Sequence, residues 1–215
     1  MTKFINLHTH TFSNLSDVME VVNQYPWEFD ASIPNYSIGI HPWFIDENRL
    51  EKDLEIIKEK LQFTECLALG ECGLDKRIEI PLDLQISVFK QQLELVKETQ
   101  KPIVLHCVAA YDEVIAIKKE MKMENPMIIH GFSKNEQVAK SLLKNDFYLS
   151  FGKYLLRNPD LEKVFKFAPE NQILLETDTI EESIYQVYEK AAAIKGISVD
   201  KMKAIVFTNF SRIFS

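Results

Sequence analysis

The chain has 215 residues, 46% hydrophobic and 27% charged, with a formal charge of −7, a length that supports a single buried domain over residues 1–215. The acidic balance works against broad adhesion to nucleic acid, which draws on many Lys and Arg contacts to phosphate, but leaves room for an enzyme that holds one or two phosphates through metal ions. No stretch approaches the roughly eighteen consecutive apolar residues of a membrane span, and the N-terminus lacks a secretory pattern, so a cytoplasmic protein with no membrane partner is expected.

In chain order, "FINLH" (4–8) opens as a strand, and because residues i and i+2 of a strand share a face, His8 and His10 emerge together at its end. "DVMEVVNQ" (17–24) either supplies a second strand without a helix before it or leaves a barrel incomplete. "YSIGIH" (36–41) reads as a strand and residues 49–63 as a helix, with apolar residues three and four apart. "CLALGE" (66–71), "PIVLH" (102–106), "MIIH" (127–130), "FYLSF" (147–151) and "ILLETD" (173–178) are further strands, separated by helices over 82–100, 111–122 and 135–145. Two more helices, near 181–195 and 198–206, follow. Strands that alternate with helices and are apolar on both faces imply a parallel sheet covered by helices. Cys66, Cys72 and Cys107 lack CxxC spacing and lie in or beside apolar runs, as reduced structural thiols do.

Six of these strands end in a side chain able to bind metal: His8, His41, Glu71, His106, His130 and Asp178, so that all five histidines fall at or just past strand ends. In a (β/α) barrel the carboxyl ends of the strands converge on one face, where active sites are built. Each residue also has a bland alternative. His41, before Pro42 and Trp43, is equally a loop anchor; Glu71 could cap the next helix, and Asp178 suits an N-cap. Repeated at strand after strand, the pattern favours a polynuclear metal site, because buried histidines and carboxylates are costly without partners. Trp43, Tyr111, Phe132 and Tyr154 either stack on a base or pack in the barrel mouth, and packing is the expectation.

The spaced set "HTH", "GIHPW", "ALGECGLD", "PIVLHC", "IIHGFS", "ILLETD" and "TNFSRIF" resembles the TatD-related family of metal-dependent deoxyribonucleases, within the amidohydrolase-type hydrolases. The resemblance implies a compact TIM-barrel-like (β/α) barrel with shortened N-terminal and late βα segments. It implies two divalent ions, of zinc, manganese, magnesium or iron: one on His8, His10 and Asp178, the other on His106 and His130, with Glu71 bridging. It further implies phosphodiester hydrolysis by an activated water, with Asp178 as general base, Glu71 as the other catalytic carboxylate, and His41 contacting phosphate or supporting a ligand. DNA ends, or another phosphate-containing substrate, would be the partner.

Four departures from the family pattern bear on substrate. Asn6 replaces the first aspartate, Val108 replaces an arginine, the proline-containing loop after "ETD" is missing, and only about thirty residues separate "HTH" from "GIHPW". Lys76, Arg77, Lys134 and Lys153 with Arg157, all in loops after strands, are the candidates to replace the lost phosphate contact. A small-molecule ester, amide or lactone hydrolase and a non-catalytic metal-binding descendant are the competing readings.

Overall fold

A computed structural model describes residues 2–215. In chain order the elements are β1 (Phe4–Thr9), β2 (Val18–Gln24), β3 (Tyr36–Ile38), α1 (Leu50–Lys60), β4 (Cys66–Asp75), α2 (Leu82–Val96), β5 (Ile103–Val108), α3 (Tyr111–Glu120), β6 (Met127–Ile129), α4 (Glu136–Lys144), β7 (Phe147–Phe151), α5 (Lys153–Arg157), α6 (Pro159–Phe167), β8 (Ile173–Leu175), α7 (Ile184–Lys195) and α8 (Val199–Ile213). The eight strands follow one another in the sheet in chain order. This is the TIM-barrel-like (β/α) fold that the family resemblance implies. The chain forms two compact units, one running through Val22 and resuming from Ile128 to Ser215, the other Asn23–Met127.

In the first unit β1 pairs in parallel with β2 and β7 with β8. β2 follows β1 with no helix between them, which settles the alternative left open at residues 17–24. Its polar residues are buried yet used: Glu20 accepts the Ser13 N–H at 2.8 Å. Tyr188 of α7 fixes the start of β1, its hydroxyl accepting from Ile5 N–H and donating to Ile5 O, both at 3.1 Å. α7 starts where its sequence directs, in a capping box between Ser183 and Gln186, and stops at Gly196 with φ 68. In the terminal "TNFSRIF", Asn209 is buried and donates to Glu170 O and Ile173 O, tying α8 to the entry of β8. Residues 153–167, not anticipated as helical, form α5 and α6, broken at Asn158, whose side chain caps α6 ahead of Pro159.

In the second unit β4 lies between β3 and β5, all parallel. β4 runs four residues beyond the expected end at Glu71, to Asp75, and β3 stops at Ile38, short of His41. Gly73 faces His106 in the register of β4 and β5, and a Cβ there would sit 2.1 Å from His106 O, so only glycine allows the strands to approach. Cys66, Cys72 and Cys107 are all buried, and burial pushes the Cys66 thiol up to about 12. No helix among the described residues is long and apolar enough to cross a membrane.

Candidate metal centre

The first unit builds one donor group from β1 and the segment after β8. Asp178 N–H donates to His8 O at 2.9 Å and His10 N–H to Asp178 O at 3.2 Å, a parallel bridge that sets Asp178 beside the two histidines. Asp178 adopts φ 58, a left-handed conformation that Asp accepts more readily than most residues. Its Oδ1 lies 3.6 Å from His10 Nε2 and 3.9 Å from His8 Nε2, and Lys153 Nζ lies 3.3 Å from Oδ2. Asn6 supports this placement through Thr177: it accepts the Thr177 N–H and donates to the Thr177 hydroxyl, both at 2.9 Å. An aspartate at position 6 could only accept, so the amide adds a donor at the cost of a charge. His130 packs its ring 4.4 Å from that of His8, and its Nδ1 lies 3.4 Å from Oε1 of the fully buried Glu176, which also accepts the Gly131 N–H at 2.7 Å.

The second unit assembles His41, Glu71 and His106. Glu71 Oε1 lies 3.1 Å from His41 Nε2 and 2.9 Å from His106 Nδ1. His41 Nδ1 accepts the Trp43 N–H at 3.1 Å, which places the proton of a neutral ring on Nε2, pointing at Glu71. That tautomer makes His41 a donor that steadies Glu71 and removes it from the ligands. His106 is arranged the other way: Nε2 faces Asp75 Oδ2 at 3.4 Å, the carboxylate–histidine pairing that orients metal ligands. Its Nδ1 lies 2.9 Å from Glu71 Oε1, so each ring nitrogen faces a carboxylate, and the ring proton decides which of the two contacts is the hydrogen bond. Asp75 is nearly fully buried, accepting the Trp43 indole N–H and the Arg77 N–H, both at 2.8 Å. Burial works against its charge, but the donors from Trp43, Arg77 and His106 prevail and hold its carboxyl below the usual aspartate range.

Each unit thus brings together side chains whose ligand-capable atoms lie within 4.8 Å of one another: His8, His10 and Asp178 in the first, and in the second His41, Glu71 and His106, of which His41 serves to hold Glu71. Imidazole and carboxylate donors of this kind suit zinc, manganese or iron. The basic candidates are distributed differently. Lys153 is in the first group, and Arg157 beside it is held by Glu182 at 2.7 Å. Lys76 is exposed and pairs with Glu113 at 2.5 Å, while Arg77 serves through its backbone N–H on Asp75. Lys134 lines a cavity of about 310 Å³ with Asn135 and Asp160, whose lining includes none of the donor residues.

Asp75, Glu176 and the structural use of Trp43 were not anticipated as parts of the site. The signal existed: Glu71 and Asp75 are four apart in one strand, and Glu176 lies two before Asp178, spacings that share a face in extended chain. Of the aromatics expected to pack, Phe132 is buried, whereas Trp43 is 54% and Tyr154 41% exposed.

Fold and donor groups together define a metal-dependent hydrolase. The profile of the TatD related DNase family matches residues 1–215, and the chain belongs to that family. It is 32% identical to the uncharacterized metal-dependent hydrolase YabD of Bacillus subtilis (strain 168), over 93% of this chain and 82% of that protein. Its fold superposes with a TM-score of 0.84 on the crystal structure of YJJV, a TatD homolog from Escherichia coli K12, at 20% identity and covering 99% and 98% of the two chains. A TatD family hydrolase from Entamoeba histolytica also gives a TM-score of 0.84, at 16% identity, covering 99% of this chain and 98% of that one.

Proposed function

We propose that the protein hydrolyses phosphodiesters, with DNA ends as the substrate, using two divalent ions. His8, His10 and Asp178 hold one ion; Glu71 and His106 hold the other. When bound, such ions acidify a water and offset the charge that builds on phosphoryl oxygens. The chain's own residues do the rest. Asp178 takes the proton of the attacking water as general base. His41 fixes the Glu71 carboxylate through its Nε2–H, and Asp75 fixes the face that His106 presents.

The observation that carries the phosphate reading is Lys153, a cation 3.3 Å from Asp178 at the edge of a cleft of about 690 Å³ that also takes in Arg157. It offers the positive charge that Val108 does not. The half-exposed Trp43 ring, whose indole N–H donates to Asp75, adds a surface on which a base can stack, a contact worth about 1–3 kcal/mol.

The test uses metal-stripped protein refilled separately with Mn²⁺, Mg²⁺ or Zn²⁺ and assayed on single-stranded DNA and bis(p-nitrophenyl) phosphate, with Asp178→Asn as control. Metal-dependent cleavage of both, lost in the variant, is the expected result. Cleavage of the small ester alone would instead favour a small-molecule hydrolase, and metal binding without any cleavage a non-catalytic descendant.

A further inference from the structure

Trp43 and Phe44 follow one another in the segment between β3 and α1 and are 54% and 43% exposed. Exposed side chains ordinarily turn freely, but these two are fixed. In the 3-10 turn Pro42–Phe44, His41 Nδ1 accepts the Trp43 N–H at 3.1 Å and His41 O accepts the Phe44 N–H at 3.0 Å. The Trp43 indole N–H donates to Asp75 Oδ2 at 2.8 Å, and the Phe44 ring meets Tyr25 and Trp27 edge-on at 5.4 and 6.0 Å. Tyr25 and Trp27 stack on each other at 4.9 Å, and the Arg49 guanidinium covers Trp27 at 3.9 Å while donating to Phe44 O. The pair is also tied to the donor residues of its unit. Asp75 Oδ2, which takes the indole N–H, faces His106 Nε2 at 3.4 Å, and the Trp43 and His106 rings lie 5.8 Å apart. One carboxylate oxygen thus sets an exposed aromatic face beside His106.

We propose that Trp43 and Phe44 form a subsite for the nucleobase adjoining the phosphodiester that is cut, a subsite that requires a base and ignores its identity. The proposal rests on Glu71 and His106 serving phosphodiester hydrolysis. The chemistry of the surface selects the ligand. The one polar atom of the Trp43 side chain is used by Asp75 and Phe44 has none, so neither ring can read the edge of a base by hydrogen bonding. The cation nearby, Arg49, is met by Asp53 at 2.8 Å and Asp46 at 3.8 Å, so the surface suits a flat neutral group rather than a phosphate. Every base offers a π-face, which makes stacking tolerant of sequence. Rings already held in place lose little freedom when a base settles on them.

The test gives the Mn²⁺-loaded protein short single-stranded oligonucleotides in which one abasic position is walked along the strand. Removing the base that occupies the subsite should lower kcat/KM about 5- to 150-fold, the scale of one lost stacking contact, while exchanging it among the four bases should change kcat/KM far less. Trp43→Leu should erase most of the abasic penalty and Phe44→Leu part of it. Trp43→Phe, which keeps a ring but not the Asp75 contact, should retain most of it, and Phe63→Leu, which alters an exposed ring ahead of β4, should leave it whole. If Trp43 only supports Asp75, Trp43→Leu slows cleavage of intact and abasic strands alike, and their unchanged ratio overturns the subsite. An abasic walk without any sensitive position overturns it too, as does a strong dependence on which base is present. If no strand is cleaved, the reading of the protein as an enzyme acting on DNA falls and the subsite with it, an outcome distinct from cleavage that ignores a missing base.

Discussion

Asp75→Asn is the most informative single change, because it touches a residue that is not proposed to bind metal yet should alter metal binding. Both oxygens of Asp75 are committed as acceptors: Oδ1 to the Arg77 N–H at 2.8 Å, Oδ2 to the Trp43 indole at 2.8 Å and to His106 Nε2 at 3.4 Å. An asparagine has one acceptor oxygen, so either orientation sets its NH2 group against a donor. With Asp75 only 3% exposed, water cannot repair the loss. One charge-assisted hydrogen bond is worth about 1.5–3 kcal/mol, and at about 2–4 °C per kcal/mol for a chain of this size Tm should fall by roughly 3–12 °C. The second effect is chemical. If the asparagine NH2 faces His106 Nε2, that nitrogen becomes the acceptor and the ring proton is held on Nδ1, the atom that faces Glu71. Metal affinity should then fall about 10–100-fold. The assay pairs a thermal melt with Zn²⁺ competition against a chelator, and nitrogen NMR of the imidazoles reports which ring atom carries the proton. A variant that melts lower but keeps its Zn²⁺ affinity and His106 tautomer would refute the positioning role and leave Asp75 a purely structural residue.

The same carboxylate predicts a pH dependence. Because the folded state holds Asp75 below its ordinary value of 3.8, its contribution to stability is present above that value and disappears as pH falls through the folded one. The stability gap between the unaltered protein and Asp75→Asn, measured in urea, should therefore be constant from pH 7 to 5 and close below about 4; a gap that widens on acidification would contradict it. Tyr188→Phe should lower the urea midpoint by an amount equivalent to about 1–3 kcal/mol with the slope unchanged, since it strips Ile5 N–H and C=O of a buried partner. An unchanged midpoint would mean that water reaches β1. Gly73→Ala should give no cooperative melting transition, because its Cβ would meet His106 O at 2.1 Å and its φ is 139; a variant that melts normally would show that β4 and β5 can separate at no cost.

How much of this was legible from residue order depended on how each feature is encoded. The strand Phe147–Phe151, apolar or aromatic but for Ser150, was placed to the residue. The end of β4 was placed early because Cys72–Asp75 mixes a thiol, a glycine and a charge, and only the sheet shows that all of them are buried. α5 and α6 escaped notice because Asn158 and Pro159 cut their periodicity into pieces too short to register, although Leu161, Val164 and Phe165 do form one buried face. At the site, donors at strand ends were readable because a β/α alternation fixes where strand ends go. The division of labour between them was not. Whether His41 donates or ligates depends on one backbone N–H, that of Trp43, and the partner of His106 depends on a side chain four residues past the expected end of the strand.

The first unit is discontinuous in sequence, whereas Asn23–Met127 is one uninterrupted stretch. On the ribosome, where a chain emerges at roughly 5–20 residues per second, the second stretch can fold as it appears, while β1 must wait for Asp178 N–H to reach His8 O. The His8, His10 and Asp178 group therefore comes into existence late in synthesis. A chain ended before residue 178 contains His41, Glu71 and His106 but lacks the Asp178 carboxylate that completes the His8 and His10 group.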